Sequence, residues 1–288
     1  MSSYEYKPKN ESTLDEIRSG TVVERNPESL KLIFSLLDLT TLNTDDTASK
    51  VKMVCEKIND FPGQYPGYPH VGALCVYPLL IPVVCENLDI KEVNIASVAA
   101  GFPSSQTFPE VKEMESRKAV EAGANEIDIV ISLGKFLEDE FDYVSAEIRQ
   151  IKNAIGDAKL KVILETGLLN DSSAIYRAAM VSMESGADFI KTSTGKIQPA
   201  ATPEAVMVMC HAIKAFMEQT GRMVGIKPAG GISSPAHALE YASIVKGVLG
   251  DEWLNPGLFR IGASKLANNL LSEISSSESG EPQEVSYF

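Results

Sequence analysis

Apolar residues come along this chain in short unbroken runs, separated by more polar stretches of helical length. The runs predict strands at 35–40 (SLLDLT), 71–77 (VGALCVY), 93–99 (VNIASVA) and 126–131 (EIDIVI). Four more follow at 161–166 (KVILET), 189–194 (FIKTST), 223–228 (MVGIKP) and 258–263 (LFRIGA). Runs with few alternations suit strands covered on both faces, as in a parallel sheet. Starts recur every 20 to 40 residues, the length of a strand plus a returning helix.

The stretches between carry helix punctuation. Thr202, Pro203 and Glu204 read as an N-cap, a first-turn proline and a carboxylate at the positive end of a helix dipole. Ser234 and Pro235 repeat the device, and Gly123, Gly156, Gly186 and Gly221 stand where helices should stop. Eight β-then-α units in roughly 240 residues predict an α/β chain folded as a single (β/α)8 TIM barrel. A doubly wound open sheet is the competing architecture. It wants a glycine-rich fingerprint after the first strand, and Asp38 is followed only by LTTLN.

The pattern divides the chain into a polar lead-in over 1–27, a barrel over 28–274 and a tail over 275–288. Ser, Glu, Gly and Pro dominate from about residue 272, which predicts a mobile segment. It nevertheless ends in Tyr287 and Phe288, aromatic residues that such a tail does not need for solubility.

Composition narrows the function classes. The 288 residues are 44% hydrophobic, enough for one large α/β domain or two small ones. A formal net charge of -13 argues against nucleic acid and anionic membrane as general partners, so any phosphate site must be local. No apolar run approaches membrane-spanning length and the start has no apolar signal core, which predicts a soluble, cytoplasmic protein. Cys55, Cys75, Cys85 and Cys210 form no CxxC pair and read as buried free thiols. His70, His211 and His237 lack ligand spacing, so no metal site is predicted.

The candidate chemistry centres on DFIKTSTGK, 188–196. Lys191 sits inside a β-favouring run, where a lysine is ordinarily an edge or snorkelling residue. An echo argues otherwise: in EAGANEID (121–128) and ESGADFIK (184–191), Asp128 and Lys191 stand the same distance after the glycine. Equivalent units would point both side chains inward at one height. Lys227, in GIKPAGGI (225–232), is a second cation in an apolar strand pattern. Two lysines and an aspartate at similar heights are a cluster that a purely structural core avoids, although a plain buried ion pair is the competing reading. At an ordinary pKa of about 10.4, only roughly 0.04% of lysine amines are neutral at pH 7. Burial and a neighbouring ammonium disfavour the charged form of Lys191 and make it a nucleophile. Ala229-Gly230-Gly231-Ile232 and Gly262-Ala263-Ser264-Lys265 follow the last two strands, where barrels often bind phosphate, and Lys196 and Lys265 supply charge.

DFIKTSTGK, GIKPAGGI and IGAS, in that order and spacing, resemble the deoxyribose-phosphate aldolase family. LDLTTLN (37–43), CVYP (75–78), EIDIV (126–130) and ILETG (163–167) match as well, so the resemblance spans about 35–271. It implies a class I aldolase without metal or other cofactor. Such an enzyme reversibly cleaves 2-deoxy-D-ribose 5-phosphate to D-glyceraldehyde 3-phosphate and acetaldehyde, in deoxyribonucleotide catabolism. The resemblance makes Lys191 the Schiff-base lysine, Lys227 its pKa-lowering neighbour and Asp128 the proton relay. It puts Lys196, Gly230, Gly231, Gly262 and Ser264 on the phosphate, and Asp38 and Thr40 near the substrate hydroxyls. Two departures stand out. Ser233 replaces an arginine common in bacterial relatives, and Lys265 replaces a serine, so Lys265 is expected to restore the lost charge. Bacterial relatives can end in a tyrosine that assists proton transfer, so Tyr287 is expected to visit the site. Members of the family are often dimeric, which makes a homodimer the expected assembly. A Schiff-base aldolase for a longer ketose phosphate, and a sugar-phosphate binding protein without turnover, remain the alternatives.

Overall fold

Eight short parallel strands form the centre of the molecule in the computed structural model, which describes Tyr6 and residues 12–20, 22–169 and 171–288. They are β1 (Leu37–Thr40), β2 (Ala73–Val76), β3 (Asn94–Val98), β4 (Glu126–Val130), β5 (Lys159–Ile163), β6 (Phe189–Lys191), β7 (Gly225–Lys227) and β8 (Ile261–Ala263). Each lies inside or within two residues of its predicted run. Neighbours follow chain order from β1 to β7, and β8 pairs with β1. Bridges Ile226–Phe259 and Ala229–Gly262 join β7 to the β8 side and close the ring. An open doubly wound sheet is thereby excluded.

Two helices precede the ring, α1 (Leu14–Gly20) and α2 (Pro27–Ser35). The returning helices are α3 (Ala48–Gln64), α4 (Ile81–Asn87), α5 (Pro109–Glu121), α6 (Leu133–Leu137), α7 (Phe141–Ile155), α8 (Ser172–Glu184), α9 (Pro203–Thr220), α10 (Pro235–Leu249) and α11 (Leu266–Ser279). The predicted caps do their work: Thr202 accepts from the Ala205 N–H at 3.1 Å and Ser234 from the His237 N–H at 3.2 Å. No helix among the described residues is long and apolar enough to cross a membrane.

The unbroken apolar runs hide two different faces. Ile127, Ile129, Leu160, Val162, Ile190 and Ile226 face the helices and are buried there. The alternate residues turn inward, and these include Glu126, Asp128, Lys161, Lys191 and Lys227, also buried. Long charged side chains fit inside only because small residues stand beside them. Ala73, Cys75 and Ala96 line one side. A Cβ on Gly262 would sit 3.1 Å from Lys227 Cε, and one on Gly225 only 2.3 Å from the Phe189 ring.

Three expectations need correcting. The lead-in is not uniformly loose: α1 buries Ile17, Arg18 pairs with Glu240 at 2.6 Å, and the Val23 N–H donates to Ser243. A seven-residue helix with one buried side chain is too short to show a period. The tail is tied down rather than free: α11 runs to Ser279, and beyond it the Val285 N–H donates to Ser272 at 2.9 Å. Asn268 accepts from the N–H groups of Tyr287 and Phe288 and donates to the Phe288 carbonyl. Composition carries no trace of bonds from one segment's side chains to another's backbone. Cys85 is exposed, unlike the other three cysteines.

Gly225→Ala forces an added methyl against Phe189 and is expected to lower stability by about 1–3 kcal/mol. A urea midpoint reduced at unchanged m-value would show this.

Candidate active site

Lys191 and Lys227 are the last residues of β6 and β7 and direct partners across the two strands. Their side chains therefore leave the sheet in the same direction. Both ammonium groups meet one oxygen, Asp128 Oδ2, at 2.8 Å from Lys191 Nζ and 2.7 Å from Lys227 Nζ. Across the ladder Asp128 pairs with Lys161 on β5, and Lys161 pairs with Phe189 on β6. Lys191 stands two residues beyond Phe189. A barrel of shear 8 climbs about one residue per strand, so two residues over two strands bring Asp128 and Lys191 into one layer. The Gly-Ala echo thus marks a true structural equivalence.

Beneath this layer lies a second set of charges that the sequence reading missed. Lys161 Nζ is 2.8 Å from Asp38 Oδ2, 2.5 Å from Glu126 Oε2 and 3.3 Å from Asp128 Oδ1. Arg260 bridges Asp38 at 2.5 Å and Glu126 at 2.9 Å. Lys227 also reaches Asp38 Oδ2, at 2.5 Å. Asp38 was expected near the substrate hydroxyls. Three cations instead draw its carboxylate under the floor, fully buried. A signal for the missed residues existed. Glu126 precedes Asp128 by two positions and Arg260 precedes Gly262 by two, so each shares its neighbour's inward face.

Seven ionisable groups are thus out of water together: Lys161, Lys191, Lys227 and Arg260 against Asp38, Glu126 and Asp128. Burial alone would raise the carboxyl pKa values and lower the amine values. For Asp38 and Asp128 the surrounding lysines overcome burial and hold both carboxyls well below the usual range. For Lys161 and Lys227 the adjoining carboxylates overcome it and push both amines up. Lys191 goes the other way. Burial pulls its pKa down, Lys227 adds repulsion, and Asp128 does not compensate. With Lys191 uncharged, three cations face three anions.

Lys191 is also the one member of this set that opens to space. It lines a cavity of about 390 Å³, whereas Lys161, Lys227 and Arg260 do not. Gly230, Gly231, Gly262, Ser264, Lys265, Lys196 and Thr40 line the same cavity, so the predicted phosphate residues do converge. Gly230 and Gly231 have φ of 87° and 75°, a left-handed pair open to glycine and strained for other residues. Ser264 and Lys265 stand at the N-terminus of α11, where the helix dipole favours an anion. Lys196 Nζ donates to the Leu42 carbonyl at 2.5 Å, and the Thr40 hydroxyl to the Asp38 carbonyl at 2.8 Å. A larger cavity of about 520 Å³, between the loops after β3 and β4, contains none of the charged set.

Tyr287 is not brought to this site. Its hydroxyl donates to the Lys57 carbonyl at 2.7 Å, and its ring packs edge-on against Phe61 and Tyr65. The aromatic end of the chain lies on an aromatic surface of α3, held by Asn268.

Known proteins resemble this chain in sequence and in fold. The profile of the DeoC/LacD family of aldolases matches residues 32–247. A Caenorhabditis elegans protein provisionally named a deoxyribose-phosphate aldolase is 48% identical over 86% of this chain and 82% of its own. The Homo sapiens protein named deoxyribose-phosphate aldolase is 40% identical over 90% of this chain and 86% of its own. A crystal structure from Toxoplasma gondii, provisionally named for the same enzyme, shares the fold with a TM-score of 0.75 at 23% identity, covering 88% and 95% of the two chains.

The charge set makes stability depend on pH from both sides. Depressed carboxyl values at Asp38 and Asp128 give stability that is present above the unfolded value of about 3.9 and lost as pH falls through the lower folded values. Raised values at Lys161 and Lys227 give stability present below about 10.4 and lost as pH climbs through the higher folded values. Melting temperatures across pH should therefore fall off at both extremes. A Lys161→Met, Asp38→Asn double variant should show a shallower fall on both sides.

Proposed function

Since the chain belongs to the DeoC/LacD aldolase family, we propose that it cleaves 2-deoxy-D-ribose 5-phosphate reversibly to D-glyceraldehyde 3-phosphate and acetaldehyde. The reaction runs through a Schiff base on Lys191 and serves deoxyribonucleotide breakdown. One observation carries the reading: the single cluster amine that reaches the cavity is the one whose charged form is disfavoured.

Neutral Lys191 attacks C1 of the open-chain sugar, and loss of water leaves an iminium. The iminium draws the electrons of the C2–C3 bond as the C3 hydroxyl gives up its proton. D-Glyceraldehyde 3-phosphate departs and an enamine remains. Protonation at C2 and addition of water then release acetaldehyde and restore the amine. The iminium is itself the electron sink, so the step asks for no metal.

Asp128 and Lys227 are the proton-handling pair. Asp128 is held as an anion by its lysines and accepts from both Lys191 and Lys227, so it links the nucleophile to its cationic neighbour along one proton path. Lys227 keeps its proton and stays a cation beside Lys191. Burial, with that standing charge added to it, disfavours the charged form of Lys191 and keeps it reactive. Lys196, the Gly230–Gly231 turn and the start of α11 hold the phosphate and so fix C3 against the nucleophile. Ser233 and Lys265 both line the cavity, and Lys265 supplies the cation that position 233 lacks.

Borohydride added with acetaldehyde should leave an N-ethyl group on Lys191, mapped by peptide mass. Label on Lys227 instead would overturn the assignment. Lys265→Ala should raise KM for the phosphorylated sugar by about tenfold and Ser233→Ala by less than about twofold. Equal effects in steady-state assays would remove Lys265 from the phosphate site.

A further inference from the structure

The ILETG run at 163–167 lies at the end of β5, and none of its residues lines the catalytic cavity. It has no part in the chemistry above. Its backbone is nevertheless unusual. The Leu164 N–H donates to the Lys191 carbonyl and the Thr166 N–H to the Thr192 carbonyl, both at 2.9 Å. Two residues on this side thus span one on the other, so Glu165 is an extra residue, a bulge in a parallel pair. It sits in the left-handed region with φ of 52°, an uncommon place for a non-glycine residue. Bulges of this kind re-aim a side chain.

What the bulge aims is a buried carboxylate, 2% exposed. Glu165 Oε1 accepts from the Thr194 N–H at 3.1 Å, and Oε2 accepts from the Thr194 hydroxyl at 2.6 Å. The Thr194 hydroxyl oxygen in turn accepts from the Lys196 N–H at 3.1 Å. One carboxylate therefore sets both the backbone and the side chain of Thr194, and through it the start of the Lys196 residue. The same turn is packed from two more sides. A Cβ on Gly167 would lie 1.9 Å from the Pro199 carbonyl, and one on Gly230 would lie 2.9 Å from Gly195 Cα. The loop after β5 is thus the wall against which the loop after β6 is set, and that loop backs the Gly230 turn.

We infer that Glu165 is a positioning residue for the phosphate end of the site: it fixes the Thr194–Lys196 turn so that the Lys196 ammonium and the Gly230–Gly231 turn face one phosphate together. The inference rests on the phosphorylated-sugar reading given above. It separates two jobs along one stretch of chain. Lys191, in β6, takes its place from the strand and the charge set. Lys196, five residues on, takes its place from Glu165. A loosened turn should therefore weaken phosphate binding while the lysine chemistry persists.

Glu165→Gln keeps the shape but can accept only one of the two Thr194 donors, and Thr194→Val removes the hydroxyl link with the strand left alone. Both variants, with the unaltered enzyme, are assayed on 2-deoxyribose 5-phosphate, on unphosphorylated 2-deoxyribose, and by borohydride trapping with acetaldehyde. The expected result for both is a KM for the phosphorylated sugar raised about tenfold and a kcat lowered less than about threefold. The preference for phosphorylated over free sugar should shrink by about the same tenfold, with acetaldehyde still trapped on Lys191. Parallel loss on both sugars together with loss of trapping, or an unchanged preference in both variants, overturns the role of Glu165. If the unaltered enzyme shows no preference for the phosphorylated sugar, the phosphate reading itself fails.

Discussion

Charge that cannot reach water must be balanced locally, and the interior of this barrel is built around one amine left over from that balance. Arg260, Lys161 and Lys227 are matched by Asp38, Glu126 and Asp128 through contacts of 2.5 to 3.3 Å. Lys191 joins the set from above as a fourth cation. Keeping its proton would set four buried cations against three anions. Lys191 is the member that lines the cavity, and burial lowers its pKa despite the contact with Asp128. The lowered pKa of Lys191 is thus a property of the set, not of the residue.

The same constraint shapes the barrel wall. Long side chains need room inside a ring of eight strands: Gly262 leaves it for Lys227, Gly225 for the Phe189 ring, and Ala73, Cys75 and Ala96 keep one side small. The outward faces stay aliphatic and seat the helices in the ordinary way. A polar interior in a greasy shell is stable only when every member is satisfied. Side chains from β1, β4, β5, β6 and β7, with Arg260 beside β8, supply the pairing, and Asp128 Oδ1, which accepts no hydrogen bond, faces Lys161 at 3.3 Å. Closure of the ring is therefore a chemical requirement as well as a topological one.

The residues proposed to hold the phosphate are placed separately. They sit on loops, which lack the strand ladder's rigidity, and each is held by a local device. The Gly230–Gly231 turn has its left-handed backbone, Ser264 and Lys265 have the start of α11, and Lys196 has the turn braced by Glu165. The chain's own end lies close by: Asn268 clips Tyr287 and Phe288 against the aromatic surface of α2 and α3, and Phe288 lines an adjoining cavity with Thr40, Ser264 and Lys265.

Local pattern alone determined the eight strands, the helix caps at Thr202 and Ser234, and the placement of Lys191, Lys227 and Asp128 on inward positions. Each of these depends on period, capping chemistry or strand spacing, which neighbouring residues encode. The glycine turns after β7 and beside β8 were legible for the same reason. Tertiary structure decided the rest. Spacing puts Glu126 and Arg260 on the inward face of their strands, but only ring closure brings them and Lys161 together under Asp128. Asp38 turns away from the mouth because three cations from β5, β7 and beside β8 converge on it, and no local window contains all four. Tyr287 is placed against α3 by Asn268 and the Lys57 carbonyl, through contacts between segments that composition does not record.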